Sequence, residues 1–534
     1  MNRNRILPVM LVIAMMIGVL AGCGQTVAPA TEGISKETPN KSVEEAPIQK
    51  DIVILDFYIM NTPSNDRERI MEKANEIIEK ELGVHLNLIM INKALYADKM
   101  NLMIQTKEPW DLCFTANWGG INFFENAQRG AYADLTQLIP EYAKETYERI
   151  PAPLWDGVKI DGKIYALVNY QQWGAAIKRG FRFRKDIVEE TGFNWQEVKG
   201  KTMQEALPLI EAFLEEALKR HPDMIGFETS AVNSMFANHP YLWNMEEIGD
   251  AAAPGWISYE APDTVINQFE TNEYAFFCRT MHEWYEKGYV RKDGATLKDT
   301  YMNRKEALYV AEISAGWPDC IDFPEYGKQE RMSMCTVENG PAWSVSITDT
   351  VIPAGAASTA AIAVNEYSPH KVEALKLIEL LNTNDELYLL LTEGEEGTDY
   401  VYGEDGTYVR KNEKYDFNFS EWQLGQSYSP DFTRALYDRN ESGDNQKNAL
   451  EMIYRTEEEA KISPLTGFVF NTEPVRMELI NCKAVIDELQ PVLSSGSADP
   501  DVLLPEFLKR LKEAGVDKII AEKQRQLDKW NISK

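Results

Sequence analysis

The sequence predicts an α/β protein built on an open, doubly wound parallel sheet. Two features carry that prediction: a strand–helix–strand–helix–strand alternation over residues 51–115, and a mostly amphipathic helical remainder from Pro369 onward. The length of 534 residues adds a third, because at roughly 100–200 residues per domain it allows several units or two large lobes.

Asp51–Met60 (DIVILDFYIM) is a nearly continuous apolar run, as in a strand buried on both faces, and the turn formers Asn61, Thr62, Pro63 and Ser64 end it. Ile70, Met71, Ala74, Ile77, Ile78 and Leu82 then recur at helical spacing, with Gly83 as the stop. Val84–Ile91 reads as a second strand, Ala94–Thr106 as a second helix and Asp111–Thr115 as a third strand. Ligands of such sheets sit beyond the carboxyl ends of the strands, which here are Met60–Asn65 and Thr115–Gly120. The second loop, TANWGG, sets polar groups around one large aromatic.

Farther along, Asp161-Gly162 marks a hairpin inside Leu154–Leu167. Val168–Trp173 (VNYQQW) is extended and polar, as in a crossing from one lobe to another. Phe181 and Phe183 alternate with Arg182 and Arg184 in a strand with one apolar face, and the basic residues read as its solvated side. Helical patterns follow at Met203–Lys219, Tyr274–Lys287 and Val372–Leu381, then in a final pair, Leu503–Ala514 and Asp517–Trp530, separated by Gly515.

With 84 acidic against 55 basic side chains, the formal charge is −29. That balance argues against a sequence-independent nucleic-acid binder, which needs cations to replace phosphate counterions. It also disfavours attachment to anionic lipid through basic patches. The amino terminus points to export: Arg3 and Arg5 precede the apolar run Ile6–Leu20, and the small residues Ala21 and Gly22 follow. As a helix that run reaches about 22 Å, short of the roughly 30 Å hydrocarbon core, so a cleaved signal over residues 1–22 is expected rather than a permanent span. From Gly24 to about Gln49 the chain is rich in Thr, Ser, Pro, Glu and Lys and reads as a flexible tether.

Beyond Cys23, five cysteines remain (Cys113, Cys278, Cys320, Cys335, Cys482) with no C-x-x-C pair, so neither a zinc ribbon nor a thioredoxin-type site is suggested. Cys113 reads as a small core residue, and a Cys320–Cys335 disulfide stays open. Catalytic signatures are missing: there is no nucleophile elbow, phosphate-binding loop or H-E-x-x-H helix. Asp438–Asp444 places oxygens at positions one, three and five of a calcium loop and glycine at six. Position twelve, however, is Ala449 instead of the bidentate glutamate, and no metal or cofactor is expected. Carboxylate pairs are unavoidable among so many acids, so a glycoside hydrolase is not excluded by inspection. Several of the twelve tryptophans lie in loop-like settings, among them Trp118, Trp173, Trp243, Trp256, Trp317 and Trp343. Each is either core packing or a platform for the apolar face of a sugar ring.

Leu20-Ala21-Gly22-Cys23 resembles the lipobox of bacterial lipoproteins. Together with Trp110–Gly120, Gly130–Leu138, Leu154–Leu167, Phe183–Trp195, Ala360–Leu391 and Ser463–Trp530, in that order, the chain resembles the extracellular solute-binding lipoproteins of ABC-type sugar importers, in particular their LipO-like branch. The resemblance implies a two-lobe, type II periplasmic-binding-protein-like fold with a helix-rich C-terminal part. It implies lipidation of Cys23 at the extracytoplasmic face of the cell membrane, where a diacylated cysteine gives stable anchoring. It further implies a monomeric, non-enzymatic protein that closes on a small solute, an oligosaccharide, and delivers it to permease subunits. Lobe one is expected from 51–168 and 310–363, and lobe two from 169–309 and 364–534, with 463–534 as the branch's own helical domain. Loop position and side-chain chemistry nominate Asn61, Thr115, Asn117 and Trp118 from lobe one, Tyr170, Gln171 and Trp173 at the crossing, Trp243 from lobe two and Trp317 near the return. A lipid-anchored glycoside hydrolase and a peptide-binding surface lipoprotein are the rival readings.

Overall fold

The computed structural model describes residues 52–62, 64–118, 120–170, 176–249, 252–297, 309–314, 330–331, 341–403, 408–412, 414–417 and 460–533. The signal, the tether, Cys23, Cys320, Cys335 and the Asp438–Asp444 turn therefore lie outside the described residues, as do Gln171, Trp173 and Trp317.

The first lobe opens with β1 (Val53–Met60), α1 (Arg67–Leu82), β2 (Val84–Ile91), α2 (Lys93–Thr106), β3 (Leu112–Thr115) and the short α3 (Phe123–Gln128). β1 runs parallel to β2 from Val53↔Val84 to Met60↔Ile91, and parallel to β3 through Phe57↔Leu112 and Tyr58↔Cys113. Leu55, Phe57 and Ile59 of β1 are fully buried, whereas Ile54 stays exposed, so this strand alternates more than its apolar run suggested. The predicted hairpin forms between Lys159–Ile160 and Lys163–Ile164, with Asp161 and Gly162 both at positive φ (51° and 78°), as a two-residue type I′ turn requires. β4 (Leu167–Val168) ends this first pass.

The second lobe holds β5 (Gly180–Arg184), α4 (Met203–Arg220), β6 (Ile225–Phe227), β7 (Met245–Glu247), β8 (Trp256–Ser258), β9 (Ala261–Ile266), α5 (Asn272–Lys287), β10 (Tyr309–Ser314), β11 (Glu330–Arg331) and β12 (Pro341–Ser346). Its main sheet has the order β11-β12-β5-β10-β6, and a smaller antiparallel sheet has the order β9-β8-β7. Phe181 and Phe183 are fully buried as the alternation predicts, but the opposite face of β5 is not solvated. Arg182 is 1% exposed and faces Glu312 of β10, itself 1% exposed, at 3.6 Å. A buried guanidinium needs such a carboxylate partner to offset its lost hydration.

The chain then crosses through β13 (Val351–Ile352) into β14 (Ala361–Val364), α6 (Lys371–Thr383) and α7 (Asp385–Glu393). After β15 (Lys461–Ile462) it ends in α8 (Arg476–Ser494), α9 (Pro500–Ala514) and α10 (Val516–Ser533). β14 inserts antiparallel between β3 and β4, giving the first sheet the order β2-β1-β3-β14-β4.

This assigns the segments to the lobes differently from the sequence expectation. β10 and β12 do not return to the first lobe, because they flank β5 in the second sheet. Nor does everything after 364 belong to the second, since Leu375, Ile378, Leu381, Leu387 and Leu391 of α6 and α7 are buried in the first core. The C-terminal helices do join the second core, through Cys482, Ile486, Leu493, Phe507, Leu511 and Ile519. Gly515 stops α9 at φ 102°, in the left-handed region that a residue with Cβ avoids.

Three segments pass between the lobes side by side. Ile177 and Val351 exchange backbone hydrogen bonds (2.7 and 3.0 Å), and β13 pairs parallel with β15 through Val351↔Lys461 and Ile352↔Ile462. The ribbon is fastened by Glu246 of β7, which is 1% exposed. Its carboxylate accepts from the Ala354 N–H (2.8 Å), the Tyr259 hydroxyl (2.8 Å) and the Ser463 hydroxyl (2.5 Å), so one side chain joins the small sheet to the second and third crossings.

Candidate ligand-binding cleft

A cleft of about 540 Å³ opens beside this ribbon. The first lobe contributes the β3–α3 loop and α3: Asn117, Trp118, Asn122, Phe124, Glu125 and Gln128. The second contributes Glu246, Glu247 and the turn leading to Pro254, while Ala354 and Gly355 of the crossing form the floor. The C-terminal segment closes a third side with Leu465, Phe468, Phe470, Thr472, Ile480 and Lys523.

The β3–α3 loop reaches the cleft because β3 ends at the sheet's topological switch, next to the antiparallel β14. Asn117 is anchored by its amide, which donates to Gly355 O (3.2 Å) and Ser358 Oγ (3.0 Å). Trp118 is half-buried, its indole N–H donating to Thr359 O at 2.6 Å and its ring tilted against Phe114 at a centroid distance of 6.2 Å. Opposite the first lobe, Lys523 is 1% exposed and donates to the carbonyls of Ile248 (2.7 Å) and Gly255 (3.1 Å), with its ammonium 5.3 Å from the Phe470 ring centroid. It thereby holds both ends of the turn that lines the second wall. Gly255 has to be glycine there: its φ is 104°, and a Cβ would sit 2.5 Å from the Lys523 Cδ.

Burial sets the electrostatics of the second wall. It raises the Glu246 carboxyl above its usual range, and it pushes Glu247 up to about 7 against the pull of Arg179 and Lys523. The phenols of Tyr241 and Tyr259 are raised as well, by burial and then by these two carboxylates.

Of the nominated residues, the cleft gathers Asn117 and Trp118. Thr115 is fully buried and shares a hydrogen bond with the Tyr132 hydroxyl (3.1 Å), so it belongs to the core. Asn61 follows β1 outside the cleft, its amide oxygen accepting from the Thr62 N–H, and Asn65 and Asp66 beyond it are tied to Asp416. Tyr170 is buried in the first core. Trp243 follows Pro240 in a single 3-10 turn that looks like a loop in sequence. It is 5% exposed, packs against Phe236 and Phe277, and donates its indole N–H to Met235 O.

Sequence reasoning missed Glu247, Phe468, Phe470 and Lys523 as site residues. For Lys523 a signal existed: it lies at four-residue spacing between Ile519 and Leu527, both buried, which places it on the apolar stripe of α10. Among the described residues, no three His, Cys, Asp or Glu side chains stand close enough to hold a metal ion.

Two α/β lobes, three crossings and a cleft at their junction define the fold of a solute-binding protein, and the chain is similar to solute-binding proteins that serve ABC transporters. Its sequence is 27% identical to a carbohydrate ABC transporter substrate-binding protein of Streptococcus pneumoniae over 97% of this chain and 96% of the relative. It is 21% identical to the polygalacturonan/rhamnogalacturonan-binding protein YtcQ of Bacillus subtilis over 79% of this chain and 78% of that one. The N-glycan transport solute binding protein NgtS of S. pneumoniae superposes with a TM-score of 0.74 at 25% identity, covering 89% of this chain and 98% of that one. NgtS has also been solved with Man1GlcNAc and with Man5GlcNAc. A family profile described as "Domain of unknown function (DUF3502)" matches residues 464–532, the segment that carries Phe468, Phe470 and Lys523.

Proposed function

We propose that the protein captures an oligosaccharide in this cleft by closure of the two lobes and hands it, unaltered, to the permease of an ABC transporter. The cleft itself supports this most directly. Its volume suits a small-molecule ligand, its walls come from both lobes, and aromatic rings alternate around it with amides and carboxylates. Apolar ring faces stack on the C–H faces of sugars, while polar groups take the hydroxyls. A solute that touches both walls binds the closed form better than the open one, and that difference in affinity drives closure. The relatives are transport proteins, and those whose ligands are known bind glycans. The two oxygens of Glu246 are taken up by three protein donors, so it does not serve Glu247 as the second carboxylate that glycosidic cleavage needs.

Calorimetric titration with Man1GlcNAc, Man5GlcNAc, galacturonan oligomers and oligopeptides tests the reading. One of the glycans binds at one site per chain and is recovered intact. Trp118→Ala and Phe468→Ala each weaken that glycan by ~1–2 kcal/mol, roughly ten-fold or more. Peptide binding, or appearance of shorter sugars, overturns the reading.

The lipobox-like Leu20–Cys23 supports a further part of this reading: lipid on Cys23 anchors the protein at the outer face of the cell membrane, with residues 23–50 as a tether. No helix among the described residues is long and apolar enough to cross a membrane. Cys23→Ser is expected to move the protein from the membrane fraction to the soluble fraction, since a diacylated cysteine supplies the stable anchor. Retention of the variant at the membrane contradicts lipidation there.

A further inference from the structure

We propose that Glu247 is the cleft's specificity-determining acceptor, its carboxylate taking a hydrogen bond from a hydroxyl of the bound solute. This rests on the capture reading and adds to it the group that discriminates among solutes. Glu247 ends β7 and lines the cleft, yet its Oε2 meets no donor, although the neighbouring Glu246 fills its two oxygens with three. A carboxylate oxygen sealed from water without a donor is costly, and such an atom calls for a functional explanation. The terminal torsion of glutamate is soft, so either oxygen can turn to the cleft.

The surroundings define what fits. The groups acting on Glu247 are Glu246 on its own strand, Arg179 before β5, Tyr241 and Tyr259 from the second lobe, and Lys523 from α10. Where both carboxyls are ionised the two cations balance them, and where a carboxyl is protonated the wall is more positive still, so the wall has no demand for a cationic solute. A neutral donor, a sugar hydroxyl, satisfies the acceptor without unbalancing that charge. A site built to hydrogen-bond a hydroxyl strongly rejects an analogue that lacks it, because the acceptor is then left unpaired.

Binding that depends on the ionised carboxylate strengthens as pH rises. With Glu247 raised to about 7, affinity for a hydroxyl donor increases between about pH 5.5 and 8 and then levels off. Stability without ligand runs the opposite way. A raised carboxyl makes the folded form the better proton binder, so this group's contribution is greatest in acid and is lost as pH climbs from the ordinary carboxylate range through 7.

The experiment measures Man1GlcNAc and Man5GlcNAc binding calorimetrically for the wild type, Glu247→Gln and Glu247→Ala at pH 5.5, 7 and 8.5, alongside ligand-free melting curves. Glu247→Gln is expected to bind at least ten-fold more weakly at pH 8.5, to lose the pH dependence, and to melt at a higher temperature than the wild type without ligand at that pH. Unchanged affinity in Glu247→Gln overturns the acceptor role and leaves capture standing. A lower melting temperature for the ligand-free Gln variant shows that the carboxylate is a structural partner and also overturns it. If neither glycan binds the wild type, the capture of these glycans fails, and the acceptor role for their hydroxyls fails with it.

Discussion

Glu246→Leu is expected to destabilise the protein by ~3–5 kcal/mol and to loosen the cleft at its floor. The substitution leaves the Ala354 N–H without an acceptor in a buried setting and strips the same acceptor from the Tyr259 and Ser463 hydroxyls. Each orphaned donor costs roughly 1–3 kcal/mol, and the hydroxyls recover part of their share by rotating while the fixed amide cannot. Glu246→Gln keeps an acceptor oxygen and should lose about half as much or less. Burial raises this carboxyl, so the folded state holds its proton more tightly than the unfolded chain does. Its contribution is therefore largest in acid and shrinks as pH rises, a slope the Gln variant lacks. Urea unfolding at two pH values checks both statements. A Leu variant within 1 kcal/mol of wild type would show that the crossings hold together without this junction.

A second large loss is expected from Gly180→Ala, of ~4 kcal/mol or more. Gly180 begins β5, where the chain leaves the crossing and enters the centre of the second sheet, and it is paired with Ser346 of β12 on one side and Ser314 of β10 on the other. A Cβ added there falls 1.9 Å from the Val345 carbonyl oxygen and 2.8 Å from the Ser346 Cα. Both obstacles are backbone inside a paired sheet, so neither can swing aside as a side chain would. The strand must shift, and the Phe181 and Phe183 packing that begins one residue later shifts with it. Circular dichroism melting reads the effect. A variant that melts within 2 °C of wild type would mean that this close approach is relaxed in solution.

The sequence revealed much of the first sheet, and for a physical reason. β1, α1, β2, α2 and β3 are consecutive and joined by short turns, so local periodicity and turn formers suffice to place them. The C-terminal helices were equally legible, because Gly515 and the apolar stripes mark them locally. Lobe membership after residue 310 was not. β10 and β12 both pair with β5, more than a hundred residues away in sequence, and nothing in a six-residue strand names that neighbour. The candidate site shows the same division. Asn117 and Trp118 follow from the rule about strand ends, whereas Trp243 and Thr115 carried ligand-like chemistry but were claimed by the core. The wall formed by Glu247, Phe468 and Lys523 comes from three distant stretches, and only folding brings them together.

The central claim, that two lobes shut on a glycan and release it whole, is tested most directly by small-angle X-ray scattering of the protein titrated with Man5GlcNAc, with the sugar analysed afterwards. Closure requires the radius of gyration to fall in step with occupancy and the oligosaccharide to be recovered at its original length. A radius that does not change at saturation, or a shortened sugar, would contradict it.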